Sequence, residues 1–471
     1  MQTPLRAHPI TILRNLWRVR FLVIIPVLRG LWQAITWDFA VWLAGAWLDL
    51  LILLAMVGFA AWRTRKVSLW WEDGLLQIRT GLLLIHRTTI PWDNIVTVSV
   101  TRPFYLRPFG AVRLRLDNIA GSRREADFTF FLSPQAAEQL LKRHGWTPPG
   151  QDSFAASSRS VLAQSLLSSN SLAGIIFVAA LISQSGRLLG RQLTEEIVGA
   201  FEQLTRALAF GLPPAGAAIA YALLGGWVVS SAISYAQYKN MRVDLEGGVL
   251  RVAGGALTGR FYSVTHDKIS CLEVRQNLLA KLLGLYSLSV SAVGYAKGKA
   301  DIACLIPAQR APGFETVRKR FFPRLNPAPN TLTPPPASLL RFILTPCLLC
   351  LGIPLAVWLL CLHTESWERF VLFVGGMAMA PALALLTVRI FDFRTGGIGR
   401  QADTYTLRYS RGFYLCTVIV PGDKIVQVST LQSYSQKRGG RCDIIIYTRA
   451  EGRAAHRLKG LPVALAREIF A

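Results

Sequence analysis

Three copies of one short pattern place an acidic side chain at the start of an alternating segment. Asp is followed two residues later by Ile in each copy, and the pairs are Asp93 and Ile95, Asp267 and Ile269, and Asp423 and Ile425. A carboxylate that recurs in this way could bind a ligand, but Asp at a strand end also forms turns by accepting hydrogen bonds from nearby backbone amides. We predict the turn role for the three Asp residues and core positions for the three Ile residues.

A basic residue follows each of these Asp residues at a constant distance. It lies fourteen positions on, with a glycine three positions further, and the six residues are Arg107, Lys281, Lys437, Gly110, Gly284 and Gly440. A basic side chain held close to an anionic bilayer surface gains about 1 kcal/mol. The same charge is equally compatible with a solvated surface, so the sequence leaves both interpretations open. We predict the bases as candidate contacts to lipid headgroups or a protein partner, and we assign the glycines to the structural turn of the repeat.

Residues for catalysis, metal binding or a cofactor do not form a recognisable set. The six histidines are spread singly, and the chain has no HExxH, GxSxG or P-loop pattern. Cys347 and Cys350 form a CxxC, but no partner CxxC or His is near, so we interpret both as buried small side chains. The seven scattered cysteines favour reduced thiols over a disulfide framework. We therefore expect no catalytic residues, no metal, no cofactor and no enzymatic activity.

The composition indicates a membrane protein. Of the 471 residues, 52% are hydrophobic and 17% are charged, and the mean hydropathy is +0.36, which is too apolar for a soluble protein of this size. The net charge of +25 also raises the class of nucleic-acid binders. Because long apolar runs occur without any zinc-finger spacing or RNP-type motif, we expect no nucleic-acid partner.

Six apolar segments approach or exceed the length needed to cross a bilayer, and they fall into three pairs. Two are weaker than the rest, 21–37 and 171–189, and the four strong segments are 39–61, 207–232, 338–362 and 370–388. Lys and Arg crowd the N-terminus and the regions that follow each pair. The positive-inside rule therefore predicts that both termini and all three regions lie in the cytoplasm.

Two charged residues fall inside the first predicted hairpin. Arg29 and Asp49 lie at similar distances from its turn near Trp37 and Asp38, so they can pair at one depth in the bilayer. We favour this structural pair. The alternative is a transporter or channel component that uses the hairpins, an interpretation that the Gly- and Pro-interrupted spans also support.

Each hairpin is followed by a run of short strands and a closing helix. A Pro-initiated amphipathic helix ends each run, at 134–145, 312–322 and 462–471. This order predicts an integral membrane protein of α-helical hairpins and mainly β, α+β domains, in which a helix pair and an antiparallel sheet or barrel with a C-terminal helix occur three times. The predicted bounds are hairpins at 17–61, 171–232 and 338–388, sheet domains at 62–146, 233–322 and 389–471, and linkers at 147–170 and 323–337.

The repeated pattern carries a family resemblance. Strand, Gly turn, strand, DKI, strand, Gln and closing helix, best seen around HDKISCLEVRQN at 266–277, resembles the YdbS/YdbT family of bacterial pleckstrin-homology (PH)-like-domain membrane proteins in its larger, three-domain form. The resemblance implies PH-like domains at the bacterial inner membrane, a smaller PH-like-domain membrane protein as partner, and a role in envelope maintenance or stress tolerance. The first copy departs from the pattern at Asn94 and Arg102–Pro103, so binding properties transfer best to the second copy.

Overall fold

The structure is a computed structural model that describes most of the chain. The described residues are 5–18, 39–72, 74–81, 84–118, 127–143, 153–171, 174–176, 178–179, 191–207, 213–293, 295, 304–449 and 454–464. Arg29 and the predicted span 21–37 lie outside this part, as does most of the predicted span 171–189.

Long apolar helices alternate with small antiparallel sheets along the described chain. The helices are α1 (Thr11–Arg18), α2 (Phe39–Arg65), α3 (Pro134–Arg143), α4 (Ser158–Ser168), α5 (Arg191–Ala207), α6 (Pro214–Tyr238), α7 (Leu278–Leu282), α8 (Ala311–Phe321), α9 (Leu339–His363), α10 (Glu368–Thr395) and α11 (Tyr434–Arg438). Within the described residues, α6, α9 and α10 are long and apolar enough to cross a membrane. Each of the four strong predicted spans overlaps one long helix. α2 covers 39–61, and α6, α9 and α10 overlap the other three spans.

Three sets of strands follow the helices, and we call them module 1 (68–143), module 2 (242–321) and module 3 (397–464). Each module has three strands, a 3₁₀ turn that holds the repeated Asp, a fourth strand and two further strands. The strands are β1 (Leu5–Arg6), β2 (Ser68–Glu72), β3 (Leu75–Thr80), β4 (His86–Pro91), β5 (Ile95–Arg102), β6 (Val112–Asn118), β7 (Phe128–Leu132), β8 (Phe154–Ala155), β9 (Arg242–Glu246), β10 (Val249–Gly254), β11 (Gly259–Thr265), β12 (Ile269–Asn277), β13 (Leu285–Ala292), β14 (Cys304–Arg310), β15 (Gly397–Gln401), β16 (Thr404–Arg411), β17 (Tyr414–Pro421), β18 (Ile425–Leu431), β19 (Arg441–Thr448) and β20 (Ala454–Pro462).

The sheets do not stop at the module boundaries. One sheet has the order β7-β6-β5-β11-β10-β9-β8 and joins modules 1 and 2, and another has the order β14-β13-β12-β17-β16-β15 and joins modules 2 and 3. We call the pairing between two modules a joint. In both joints the fourth strand of one module pairs antiparallel with the third strand of the next. The sequence predicts a separate sheet for each domain. It does not indicate the shared sheets, because pairing between distant strands leaves no local pattern.

Each hydrophobic core also contains a side chain from a neighbouring module. Phe261 of module 2 packs in the core of module 1, and Cys271 of module 2 packs in the core of module 3. Val96 of module 1 and Ile419 of module 3 both pack in the core of module 2. All four side chains are buried, so the modules form one packed row.

Both predicted linkers contain ordered, packed residues. Within 147–170, β8 pairs with β9 and α4 packs on α6. Within 323–337, Ala328 and Leu332 are buried, and Leu332 forms an antiparallel bridge with Ile398. The Ser and Pro content favoured linkers, but the apolar side chains between those residues cover the edges of the sheets.

The closing helices follow the prediction in two modules. α3 and α8 coincide with the predicted helices at 134–145 and 312–322. The third, predicted over 462–471, starts differently because β20 continues through Pro462. Residues 465–471 lie outside the described part of the chain.

Candidate functional site

The repeated Asp residues occupy surface turns and do not share a site. Asp93, Asp267 and Asp423 each lie at the centre of a 3₁₀ turn, with exposed side chains. The following Ile closes each turn, because its amide donates to the carbonyl of the residue before the Asp. The isoleucines of modules 1 and 2 are buried, whereas Ile425 of module 3 is half-buried.

The three repeated glycines end equivalent loops in the left-handed backbone region. φ is +60° at Gly110, +63° at Gly284 and +62° at Gly440, where a side chain would strain the backbone. We call the segment before each of these glycines the tip loop, and the three tip loops are residues 103–110, 278–284 and 434–440.

The three predicted bases lie in the tip loops and do not converge on one site. Arg107 Nη2 donates to the carbonyls of Ala256 and Leu257, each at 3.1 Å, and so fastens module 1 to a turn of module 2. Lys281 lines a cleft between modules 2 and 3. Lys437 is exposed.

The tip loops of modules 1 and 2 lie beside the ends of apolar helices. The turn that Arg107 contacts is held to the end of α6, because the Ala256 amide donates to the carbonyl of Ala236 at 2.8 Å. In module 2, α7 contacts α10, and Asn277 Nδ2 donates to the carbonyl of Leu167 in the last turn of α4 at 2.7 Å. The tip loops also expose large apolar side chains, namely Phe104, Tyr105, Phe109, Leu279, Leu282, Leu283 and Tyr434.

Asp443 ties module 3 to the first turn of α9. Its side chain is 0% exposed on β19, and Arg341 of α9 donates to both carboxylate oxygens, at 3.0 and 2.7 Å. Arg457 Nη2, Gln436 Nε2 and the Gly460 amide also donate to this carboxylate, at 2.9, 2.7 and 3.0 Å. Burial by itself raises the pKa of a carboxyl group, but these donors outweigh burial and lower the pKa of Asp443 to about 2.

A cationic cleft of about 450 Å³ opens beside this ion-pair cluster. Among the described residues, four basic side chains and no acidic one line the cleft, and the four are Arg341, Arg441, Arg457 and Lys459. Leu340 and Leu344, which are 65% and 49% exposed, line it from one face of α9. We call this site the α9 cleft, and it combines a cationic wall with an apolar wall.

The α9 cleft holds more positive charge than the neighbouring buried carboxylate neutralises. Asp443 is bonded to two of the four cations. Arg441 Nη1 donates to the carbonyl of Ala337, and its Nε is buried without a partner among the described residues. Burial, followed by repulsion from Arg389, lowers the pKa of Lys459. An anion in the cleft would offset both effects.

A second polar cluster lies in the joint between modules 2 and 3, where Tyr409 and His456 are buried and Arg275 is 46% exposed. Arg275 Nη2 donates to Glu273 at 2.6 Å on β12, and Tyr409 Oη lies 2.8 Å from His456 Nδ1. Burial disfavours the charged imidazolium and lowers the pKa of His456 to about 4. Because Glu273 and Arg275 are paired with each other and the Tyr409–His456 contact is buried, we assign a stabilising role to these groups.

No sequence pattern indicates the α9 cleft. Arg341 stands at the start of an apolar run and Asp443 stands alone in an apolar strand, and each pattern is ordinary by itself. Their 102-residue separation in the chain is closed only by the fold. No group of three or more His, Cys, Asp or Glu side chains in the described part of the chain is placed to hold a metal ion.

Apolar helices joined to small antiparallel sheets with basic loops at the helix ends define a membrane protein with PH-like domains. Residues 21–144 and 198–320 match the family model of the bacterial PH domain, and together they cover more than half of the 471 residues. The chain therefore belongs to the bacterial PH domain family. No curated protein and no solved structure matches the chain.

Proposed function

We propose that this protein is a non-enzymatic, multi-pass protein of the bacterial inner membrane that binds anionic lipid headgroups with its cytoplasmic PH-like modules. The observation that carries the proposal is the α9 cleft, which four cations line beside exposed leucines of an apolar helix, while the neighbouring buried carboxylate bonds to only two of the four. A phospholipid presents the matching chemistry. Its phosphate pairs with guanidinium and ammonium groups, and its acyl chains cover apolar helix surface.

The position of the α9 cleft supports a lipid ligand. The cleft lies at the first turn of an apolar helix that is long enough to cross a membrane. Basic residues at such a helix end favour the cytoplasmic side. The exposed aromatic side chains Phe104, Tyr105 and Tyr434 in the tip loops are also of the kind that anchors at a membrane interface.

We extend the family assignment to module 3, which gives a protein of the larger, three-domain YdbS/YdbT type with six spans. The support is the shared order of strands, the 3₁₀ turn at each repeated Asp, and the left-handed glycine in each tip loop. A smaller PH-like-domain membrane protein as partner and a role in envelope maintenance or stress tolerance follow from the same resemblance.

Transport through the hairpins is the second function predicted from the sequence. It depends on Arg29 and Asp49, and only Asp49, half-buried in α2, lies within the described residues. Transport therefore stays a prediction.

The test titrates short-chain phosphatidylglycerol or phosphatidylcholine into the full-length protein in detergent and follows the melting midpoint. A lipid that binds the native state raises the midpoint with concentration, and we expect phosphatidylglycerol alone to do so. Arg441→Gln with Lys459→Gln should remove most of the rise, because these two side chains supply the positive charge that Asp443 does not neutralise. The variant leaves the ion pairs of Asp443 intact, since neither side chain bonds to it. Lys319→Gln on the exposed surface of α8 is the matched control.

Two outcomes would overturn the proposal. One is an equal rise with phosphatidylcholine, and the other is an undiminished rise in the Arg441 and Lys459 double variant. Inorganic phosphate is the third arm, and an equal rise with phosphate alone would assign the cleft to a soluble anion instead of a lipid.

A further inference from the structure

The fourth strand of each module has the same place in the fold but is covered in only two of the three modules. β5 pairs with β6 and β11, and β12 pairs with β13 and β17. In the described part of the chain, β18 pairs with β19 alone. Most residues of β5 and β12 are buried, whereas none of the 7 residues of β18 is.

The two covered joints have the same register. Thr101 faces Arg260 in the first joint, and Arg275 faces Cys416 in the second. Thr101 and Arg275 each stand eight residues after the repeated Asp of their own module, and the facing residues each stand seven before theirs. A shift of one residue would turn every side chain to the other face, so this shared register is a property of the module.

β18 has the features of a strand that another strand covers. Like β5 and β12, it has a register irregularity directly after its first Ile, where it pairs with the fifth strand. Exposed edges are usually protected by charged residues or proline, and IVQVSTL at 425–431 contains neither. Val426 is 68% exposed and Leu431 is 47% exposed.

The complementary edge lies at the other end of the row of modules. β4 is the third strand of module 1, equivalent to β11 and β17, which are covered in the joints. Among the described strands β4 pairs only with β3. Since the joints connect module 1 to 2 and module 2 to 3, β4 and β18 lie at opposite ends of the row and can meet only between two chains.

We propose that β18 binds β4 of a second copy of this chain, in the register of the two internal joints. Leu431 then faces His86, and Gln427 faces Ile90 of the second copy. The interface is head-to-tail, so it builds rows or closed rings of copies in the plane of the membrane. This interface depends on the strand edges and not on the α9 cleft, so the two proposals can be tested independently.

Disulfide crosslinking of two differently tagged copies in membranes tests the register. One copy carries His86→Cys and the other Leu431→Cys, because facing Cα atoms of an antiparallel pair lie about 4.5–5.5 Å apart, within reach of a disulfide. We expect an oxidised dimer that carries both tags, and a ladder beyond the dimer when both substitutions are in one chain. Thr88→Cys with Leu431→Cys, two residues out of register, is the matched control and should crosslink severalfold less.

A charge exchange at the same pair separates pairing from accidental collision. Like charges directly opposite each other destabilise a strand pair, and opposite charges stabilise it. Leu431→Glu with His86→Glu should lower the co-purification of the two tags, and Leu431→Glu with His86→Lys should restore it. The proposal is overturned if the Thr88 control crosslinks as well as His86, if the charge exchange has no effect, or if Leu431→Cys crosslinks only to a different protein.

Discussion

Module 3 has two polar regions of opposite character, the buried joint with module 2 and the α9 cleft. In the joint, Glu273 is paired with Arg275, and His456 is kept neutral by its surroundings. The α9 cleft is lined by four cations, and only two of them, Arg341 and Arg457, bond to the neighbouring carboxylate of Asp443. This protein therefore balances charge at the interface between two modules and keeps a surplus of positive charge where an apolar helix begins.

Desolvation explains the pairing in the joint. A buried charge is costly unless a partner and hydrogen bonds offset that cost, and Glu273, whose side chain is 12% exposed, is matched there by one cation, Arg275. The cations of the α9 cleft keep access to solvent, since Arg341 and Arg457 are 31% and 47% exposed. Arg441 and Lys459 of the cleft do not bond to Asp443 and so can bind a ligand, whereas Arg275 of the joint is matched by Glu273.

The largest effect on stability should come from removing the carboxylate of Asp443 beside the α9 cleft. Asp443→Asn leaves Arg341 and Arg457 close together without a counter-charge and weakens their hydrogen bonds to residue 443, which should cost about 3 kcal/mol because the two cations keep partial access to solvent. We expect the free energy of unfolding to fall by this amount, and thermal unfolding of the full chain in detergent measures it.

Asp423→Asn is the matched control for this variant. Asp423 is a carboxylate of the same module but is 61% exposed in its surface turn, so its replacement should change stability by less than about 0.5 kcal/mol. A similar loss of unfolding free energy in both variants would show that the Asp443 cluster stabilises the fold no more than an exposed carboxylate does.

The buried joint should respond to pH through His456. Its pKa is lowered from 6.5 to about 4 in the folded protein by burial, so the folded state stays neutral where the unfolded chain takes up a proton. Stability is therefore full above pH 6.5 and is lost as the pH falls toward 4, by about 3 kcal/mol for the whole shift. Melting midpoints measured between pH 7.5 and 4 follow this loss.

His456→Gln isolates the contribution of the imidazole from that of other titrating groups. The variant removes the group that must be kept neutral, so its melting midpoint should fall less steeply over the same pH range. Parallel curves for the variant and the natural protein would mean that His456 does not control the stability of the joint at acidic pH.

Local features of the fold were predictable from the sequence because their causes are local. The apolar runs of α9 and α10 predict their helices, and the repeated glycines predict turns whose left-handed backbone a side chain would strain. The Asp residues likewise predict turns at the strand ends, which the structure places as surface 3₁₀ turns.

The shared sheets and the α9 cleft were not predictable because their causes are long-range. Nothing near Thr101 indicates that it faces Arg260, and nothing near Arg341 indicates a carboxylate 102 residues later. The predicted bases show the same limit. Arg107, Lys281 and Lys437 have equivalent places in the sequence, but the fold places one against a turn of the next module, one in a cleft and one at an exposed position.

The smallest effects on stability should come from replacing the basic residues of the tip loops. Arg107→Gln removes two hydrogen bonds across the first joint and should cost about 1 kcal/mol, because the contact is exposed and partly replaced by water. Lys437→Gln changes a side chain that is exposed in the described part of the chain, so it should leave the melting midpoint of the dilute chain unchanged. Equal midpoint shifts for the two variants would contradict the distinction between a base in a joint and a base at an open end. A shift for Lys437→Gln that grows with protein concentration would instead indicate that a second copy contacts the open end.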